Sequence, residues 1–417
     1  MSEKIIMNEF LKHYQMGCWF YRTTTYQLDY DPIDAMKDLG MTFATLPEHW
    51  HYGKTGLEEK NLDKYMQSAR RNQLPVLYTD RRMMGTRPIA KPSLEKARER
   101  LEWVKKEYGD ILGGIYVCDE PWWGIQDEHK AIDTVAEYTK LSREILPDCW
   151  TFIALLGGPK ARWKIDFACV CDYIESVKPD FLLYNVYSQL LAEENEKEQG
   201  VINFFYQLNL YVEAAKKYNI PLWASPMCSA CWSFRQPAQV DFRWQLNVLA
   251  AHGVTGFVWY HLQENATNVA KNGMCPINSF DEKTVMYDWM RYENRAFMKC
   301  IASKLDGYKL EEVYHFYQRF ANFKALEFED DEIIEEVKSQ YNRPLVISRF
   351  KATDGSGKQR VMVTNLSRTE NGHCEIKFKG EYAKYNKGSY SMYMQPASAL
   401  IIDLFDTPED PRDIVLD

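Results

Sequence analysis

The sequence carries no surplus of positive charge with which to hold a nucleic acid. Its formal net charge is −8 over 417 residues. Lysine and arginine are spread along the chain, with no basic stretch to mark a polyanion footprint. Long apolar runs are missing too, and none approaches the ~20 residues of a membrane-spanning helix. The opening segment, MSEKIIMNEFLKHYQMG, mixes charge with short apolar stretches and lacks the apolar centre of a secretory signal. A disulfide framework is absent: the ten cysteines are scattered, which fits a reducing cytoplasm. No Gly-rich phosphate fingerprint follows the first strand candidate, which argues against a dinucleotide fold. These absences lead us to expect a cytoplasmic protein with no nucleic-acid or membrane partner, and they leave the oligomeric state open.

Aromatic residues are abundant, at 14% with 12 Trp and 27 Tyr. Core packing accounts for most such rings, yet flat rings with polar tips also suit the apolar faces of sugars. From residue 15, β-type apolar runs alternate with amphipathic helical stretches. The strand candidates are Cys18–Arg22, Thr42–Leu46, Pro75–Thr79, Gly114–Cys118, Thr151–Leu155, Phe181–Tyr187, Pro221–Ser225 and Gly256–His261. Between them lie Asp31–Leu39, Leu57–Arg71, Ser93–Tyr108, Glu128–Leu146, Trp163–Val177, Ile202–Tyr218, Ala238–His252 and Val285–Leu305 as helices. Helix-stop chemistry at Leu39-Gly40, Lys178-Pro179 and His252-Gly253 supports the boundaries. Eight consecutive units in about 290 residues fit a closed (β/α)₈ TIM barrel better than an open doubly wound sheet.

Beyond residue 306 the period shortens to two. Leu345–Phe350, Gln359–Asn365, Cys374–Phe378, Ser389–Met394 and Ala399–Leu404 alternate apolar and polar residues between turn signals at Asp354-Gly355, Asn371-Gly372 and Lys387-Gly388. We therefore expect a barrel over residues 1–305 and a C-terminal antiparallel β-sandwich over 306–417. The acidic run Glu327–Glu336 reads as a solvated helix or loop face.

Catalytic groups of such barrels sit at the C-terminal ends of the strands. The polar residues collected there are Glu48 and His49 after strand two and Asp80 after strand three. Strand four adds Asp119, Glu120, Trp122 and Trp123, and strand six adds Tyr184, Asn185 and Tyr187. Strand eight contributes Trp259, His261 and Glu264. Carboxylates, amides and aromatic rings on one rim suit an oligosaccharide or glycoside better than a phosphate. Strict alternation puts Gly114, Tyr116, Cys118 and Glu120 on one inward face, and Pro121 ends the strand there. Glu120 is then an inward-facing carboxyl beside a second carboxyl and under Trp rings, the setting of a general acid. Alternation faces Asp119 the other way, unless it leaves the strand geometry or lies at the rim.

The segment GGIYVCDEPWWG, residues 113–124, resembles the Asp-Glu-Pro motif of glycoside hydrolase family 123, the β-N-acetylgalactosaminidases. It is also similar to the Asp-Glu pair of the family 20 hexosaminidases. The resemblance implies a retaining, substrate-assisted reaction through an oxazoline, with Glu120 as acid/base and Asp119 holding the substrate's acetamido nitrogen. Tyr184 or Tyr187 would bond the acetamido group. Trp122, Trp123 and Trp259 would line the sugar subsite, and Asn185 would bond a hydroxyl. No metal or organic cofactor is implied. The chain departs from both families in lacking room for their N-terminal β-domain.

Retaining β-glycosidases with Asn-Glu-Pro at strand four offer a second reading. They need two carboxyls about 5–5.5 Å apart. Here Asp119 replaces the Asn, and strand seven, IPLWASPMCSACW, holds no carboxylate; Glu48, Asp80 or Glu264 would have to substitute. A non-catalytic carbohydrate-binding barrel is the third reading. Cys228-Ser-Ala-Cys231 without a second pair is a weak zinc signal. His49 and His51 lack a third ligand. His261 reads equally as a sugar-subsite neighbour and as a satisfied core histidine.

Overall fold

The structure, a computed structural model, describes residues 10–20, 30–46, 57–80, 93–121, 128–155, 165–188, 194–230, 234–263, 274–325, 331–383 and 389–405. Its first sheet has eight parallel strands: β1 Gln15–Cys18, β2 Ala44–Thr45, β3 Val76–Tyr78, β4 Leu112–Asp119, β5 Trp150–Leu155, β6 Leu182–Asn185, β7 Leu222–Ser225 and β8 Val254–Trp259. The helices that alternate with them are α1 Pro32–Asp38, α2 Leu57–Asn72, α3 Leu94–Tyr108, α4 Glu128–Ile145, α5 Phe167–Val177, α6 Glu194–Tyr218, α7 Gln239–Ala251 and α8 Val285–Phe297. The strand order β1-β8-β7-β6-β5-β4-β3-β2 winds the chain once around. Between β1 and β2 the join is made by Thr42, whose N–H donates to Met16 O at 2.8 Å and whose Oγ1 accepts from Met16 N at 2.9 Å. This is a (β/α)₈ barrel.

Local chemistry sets the boundaries. Asp31 caps α1 by accepting from the N–H of Ile33, with Pro32 at the first turn, and Ser93 and Asp166 cap α3 and α5 in the same way. Gly40 and Gly253, at φ +80° and +84°, end their helices in the left-handed region. The first strand starts three residues earlier than Cys18–Arg22. It is fixed by its partner, with Gln15–Cys18 lying opposite Gly256–Trp259, and the Gln15 amide anchors it through Phe10 O at 2.6 Å.

Rings fill the barrel. Trp19, Phe43, Tyr116, Trp150, Phe152, Phe181 and Trp223 are all buried in one cluster with Leu77, Ala154, Leu183 and Val258. Phe181 and Trp223 stack at 4.1 Å, and Phe10 closes on Trp150 at 4.4 Å. Such rings leave no room for a Cβ on two neighbouring strands, β1 and β8. At Gly17 one would lie 2.3 Å from Phe43 Cζ, and at Gly256 2.1 Å from Trp223 Cδ2.

The chain divides into two compact units, residues 1–238 with 254–295, and residues 239–253 with 296–417. The second contains β9 Tyr308–Phe316, β10 Lys324–Ala325, β11 Ile334–Ser339, β12 Leu345–Ala352, β13 Gln359–Asn365, β14 Gly372–Phe378, β15 Ser389–Met394 and β16 Ala399–Asp403. A five-stranded sheet, β10-β9-β12-β13-β16, and a three-stranded one, β11-β14-β15, enclose a shared core that includes Ile347, Val363, Ile376 and Phe378. Each such side chain contributes roughly 1.5–3 kcal/mol by burial. All pairings are antiparallel except the short β9–β10 edge. Helix α7 belongs to this unit: Trp244 donates to Leu366 O, Asn247 to Ala397 O, and Ala251 O accepts from Ser348.

The acidic run is not a solvated face throughout. Asp331 is buried, accepts from Tyr314 Oη at 2.7 Å and pairs with Arg349, and Ile334–Ser339 is a strand of the sandwich. A buried carboxylate needs these partners, and the sequence pattern alone did not reveal them.

Candidate active site

At the end of β4 the side-chain alternation breaks. Gly114 and Tyr116 lie opposite Trp150 and Phe152, which face the barrel interior, but the register then slips, so that Cys118 pairs with Ile153 and Asp119 with Ala154. A bulge of this kind reverses the facing of everything after it. Cys118, opposite Ile153, consequently takes the outward phase, and Asp119, opposite inward-facing Ala154, takes the inward phase. The expectation that Cys118 and Glu120 share the face of Tyr116 is therefore corrected. It is Glu120, not Asp119, that leaves strand geometry, with φ at +44°.

That conformation is sparsely populated for a residue with a Cβ and costs on the order of 1–3 kcal/mol. It is held by Glu120 N donating to Ala154 O at 2.8 Å. The side chain reaches over β5 to β6, where Asn185 Nδ2 donates to Glu120 Oε1 at 2.8 Å. Tyr211 on α6 lies close enough that its phenol, pushed up mainly by burial, is raised further by the Glu120 carboxylate. Glu120, Asp119 and Asn185 are each partly exposed.

Beneath them the indole of Trp19 donates to Ser225 Oγ at 3.1 Å and packs on Tyr116 at 5.1 Å. Beside them Tyr187 packs against Phe234 at 5.2 Å and Tyr260 at 5.6 Å, and all three rings are partly exposed. Asp119, Glu120, Asn185 and Tyr187 thus lie at the C-terminal ends of β4 and β6, where Asn185 bonds Glu120 and Tyr187 packs on Tyr260 and Phe234. Tyr260 was legible: Gly256 and Val258 face inward, and Tyr260 shares their phase.

Four expected substrate contacts lie elsewhere. Tyr184 is fully buried and stacks on Tyr211 at 4.2 Å, because it alternates with inward-facing Leu183 and so faces the helices. Trp259 is likewise fully buried, and its indole donates to Asn294 on α8. His261 is 1% exposed, with Nδ1 2.9 Å from Gln263 O and its pKa lowered by burial to about 4. It is a satisfied core histidine. Asp80 is 3% exposed, outward with Tyr78, and paired to Arg100 Nε at 2.9 Å. Glu48, His49, Trp122, Trp123 and Glu264 lie outside the described residues, as do His51 and Cys231. Among the described residues no three His, Cys, Asp or Glu side chains gather as metal ligands, and no helix is long and apolar enough to cross a membrane.

No protein-family model and no curated protein matches the chain. Solved structures do. The cold-adapted β-galactosidase from Rahnella sp. R3 aligns with a TM-score of 0.53 at 9% identity, over 75% of this chain and 59% of that one. The β-galactosidase from the Antarctic haloarchaeon Halorubrum lacusprofundi gives 0.49 at 12%, over 68% and 58%. The glucosidase from Croceicoccus marinus gives 0.49 at 10%, over 93% and 80%. This chain therefore spans less than two thirds of either galactosidase. At such identities the Rahnella likeness establishes the barrel fold.

Proposed function

We propose that the protein is a glycoside hydrolase in which Glu120 is the proton donor to the departing glycosidic oxygen. The observation that carries this reading is the pair of adjacent rim carboxyls, with Asp119 in the inward phase and Glu120 held in a strained conformation. Tyr187, two residues on from Asn185, and Tyr260 packed against it are partly exposed rings at neighbouring strand ends. Strain of this kind concentrates at functional sites, and the rings offer a sugar both stacking and hydroxyl contacts. The fold shared with the β-galactosidase from Rahnella is in keeping with this class.

The finer reading is a retaining β-N-acetylhexosaminidase-like reaction assisted by the substrate. Asp119 accepts a hydrogen bond from the acetamido N–H, which orients the acetamido oxygen toward the anomeric carbon. As that oxygen bonds to carbon, the glycosidic bond breaks and Glu120 protonates the leaving oxygen. The resulting carboxylate then takes a proton from water, which opens the oxazoline with net retention. Strand β7 and the residues to Ala230 hold no carboxylate, which favours a nucleophile supplied by the substrate over one supplied by that strand.

Aryl N-acetylgalactosaminide, N-acetylglucosaminide, galactoside and glucoside substrates, assayed with and without a thiazoline inhibitor, test both levels. Hydrolysis confined to N-acetyl sugars and blocked by thiazoline is expected. Thiazoline-insensitive hydrolysis of plain glycosides would refute substrate assistance and favour a displaced nucleophile. Saccharide binding with no hydrolysis of any of the four would refute the enzyme reading.

A further inference from the structure

The contact between Asn185 and Glu120 has a chemical consequence beyond the substrate-hydroxyl role first expected of Asn185. Both partners are fixed by backbone. Asn185 ends β6, in register with Ser225 of β7, and Glu120 is pinned by its N–H on Ala154 O. A group held by strand pairing keeps its geometry better than one on a loop. Nδ2 of Asn185 donates to Oε1 of Glu120 at 2.8 Å.

A protonated carboxyl has two unlike oxygens. The carbonyl-type oxygen accepts hydrogen bonds well, and the hydroxyl oxygen donates. An N–H aimed at Oε1 favours Oε1 as the carbonyl-type oxygen. The same N–H also stabilises the ionised carboxylate formed once the proton has left. Asp119 is the chain neighbour of this carboxyl, and Tyr211 on α6 lies within its electrostatic reach. Tyr211 is kept neutral by burial.

We propose that Asn185 is a positioning residue: its amide holds Oε1 of Glu120, so that the transferable proton rides on Oε2. This rests on the proposed role of Glu120. Asn185 touches no reacting atom in this scheme; it selects which oxygen of the acid works and stabilises the carboxylate left when the proton departs.

The test is the titration of Glu120 in the intact protein, followed by NMR of ¹³Cδ-labelled glutamate and assigned by the signal lost in Glu120→Gln. In Asn185→Ala the midpoint is expected to rise by about one to two pH units, since a donor to a charged group is lost. Asn185→Asp, which matches the native side chain in shape, is expected to raise it further by placing a like charge there. It also serves if the alanine variant fails to fold. An unchanged midpoint in a folded variant overturns the positioning role, since a merely structural residue would leave the titration where it was. Retained hydrolysis by Glu120→Gln is a separate result. It would overturn the proposed function and this inference with it.

Discussion

His252 and His315 form a buried pair whose protonation should make the C-terminal unit labile to acid. His252 Nδ1 lies 2.7 Å from Val248 O, so that nitrogen carries the proton, and Nε2 is the acceptor. His315 Nδ1 lies 3.3 Å from the N–H of Phe320, and its Nε2 lies 3.0 Å from His252 Nε2, which as an acceptor suits a proton on His315 Nε2. Both rings are thus neutral and satisfied, and a further proton would set two N–H groups against each other. Burial lowers His252 to about 4; burial, then His252 and Arg319, lower His315 to about 2. The unfolded chain takes up both protons below about pH 6.5, so stability is fully present above that pH and falls as pH drops toward the folded values. Between pH 8 and pH 5 the loss is about 2 kcal/mol per ring, or about 4 kcal/mol for the pair. That is a large share of the roughly 5–15 kcal/mol holding a typical domain. Urea unfolding at the two pH values should show this loss in the native protein. His252→Gln/His315→Gln should be less stable at pH 8 but less dependent on pH by about 4 kcal/mol. Buried His261 titrates in both proteins and cancels. A double variant with the native pH dependence would refute the reasoning.

Four substitutions test the barrel. Gly256→Ala sets a Cβ 2.1 Å from Trp223 Cδ2, and overpacking of a filled core should cost about 1–3 kcal/mol or more, read as a fall in Tm; an unchanged Tm would mean the ring yields freely. Tyr184→Phe removes a buried hydroxyl that has no hydrogen-bond partner among the described residues. It should leave stability unchanged or raise it by up to about 1 kcal/mol, which thermal unfolding decides. Tyr260→Ala should raise KM at least tenfold if stacking on sugar is worth more than about 1.4 kcal/mol. Trp259→Phe, on the helix-facing side, should lower Tm and leave KM alone; the reverse pattern would put the sugar on the wrong face.

The eight barrel strands were legible because each is a short apolar run between helix stops and caps such as Asp31, Ser93, Gly40 and Gly253. Burial on both faces is what makes such runs continuous. Facing was harder to read. In a continuous run every residue is apolar, so alternation carries no sign, and Tyr184 and Trp259 went to the wrong side. The small residues held the missing information: Gly17 and Gly256 sit where Phe43 and Trp223 leave no room for a Cβ, which fixes the inward phase through Val258 to Tyr260. The bulge after Tyr116 had no such marker, because it depends on pairing with β5. β9 was missed because its segment, Tyr308–Phe316, lacks clean alternation. Asp331 read as solvated because the Arg349 and Tyr314 that receive it are distant in sequence.

If Glu120 gives a proton to the leaving group, its loss is felt in proportion to the leaving group's need of that proton. Glu120→Gln should lose about 10²–10⁴-fold in kcat/KM on a p-nitrophenyl glycoside that the native protein hydrolyses. On the matching 2,4-dinitrophenyl glycoside, whose phenolate departs without a proton, it should lose far less. Equal, near-native rates on both would contradict the account.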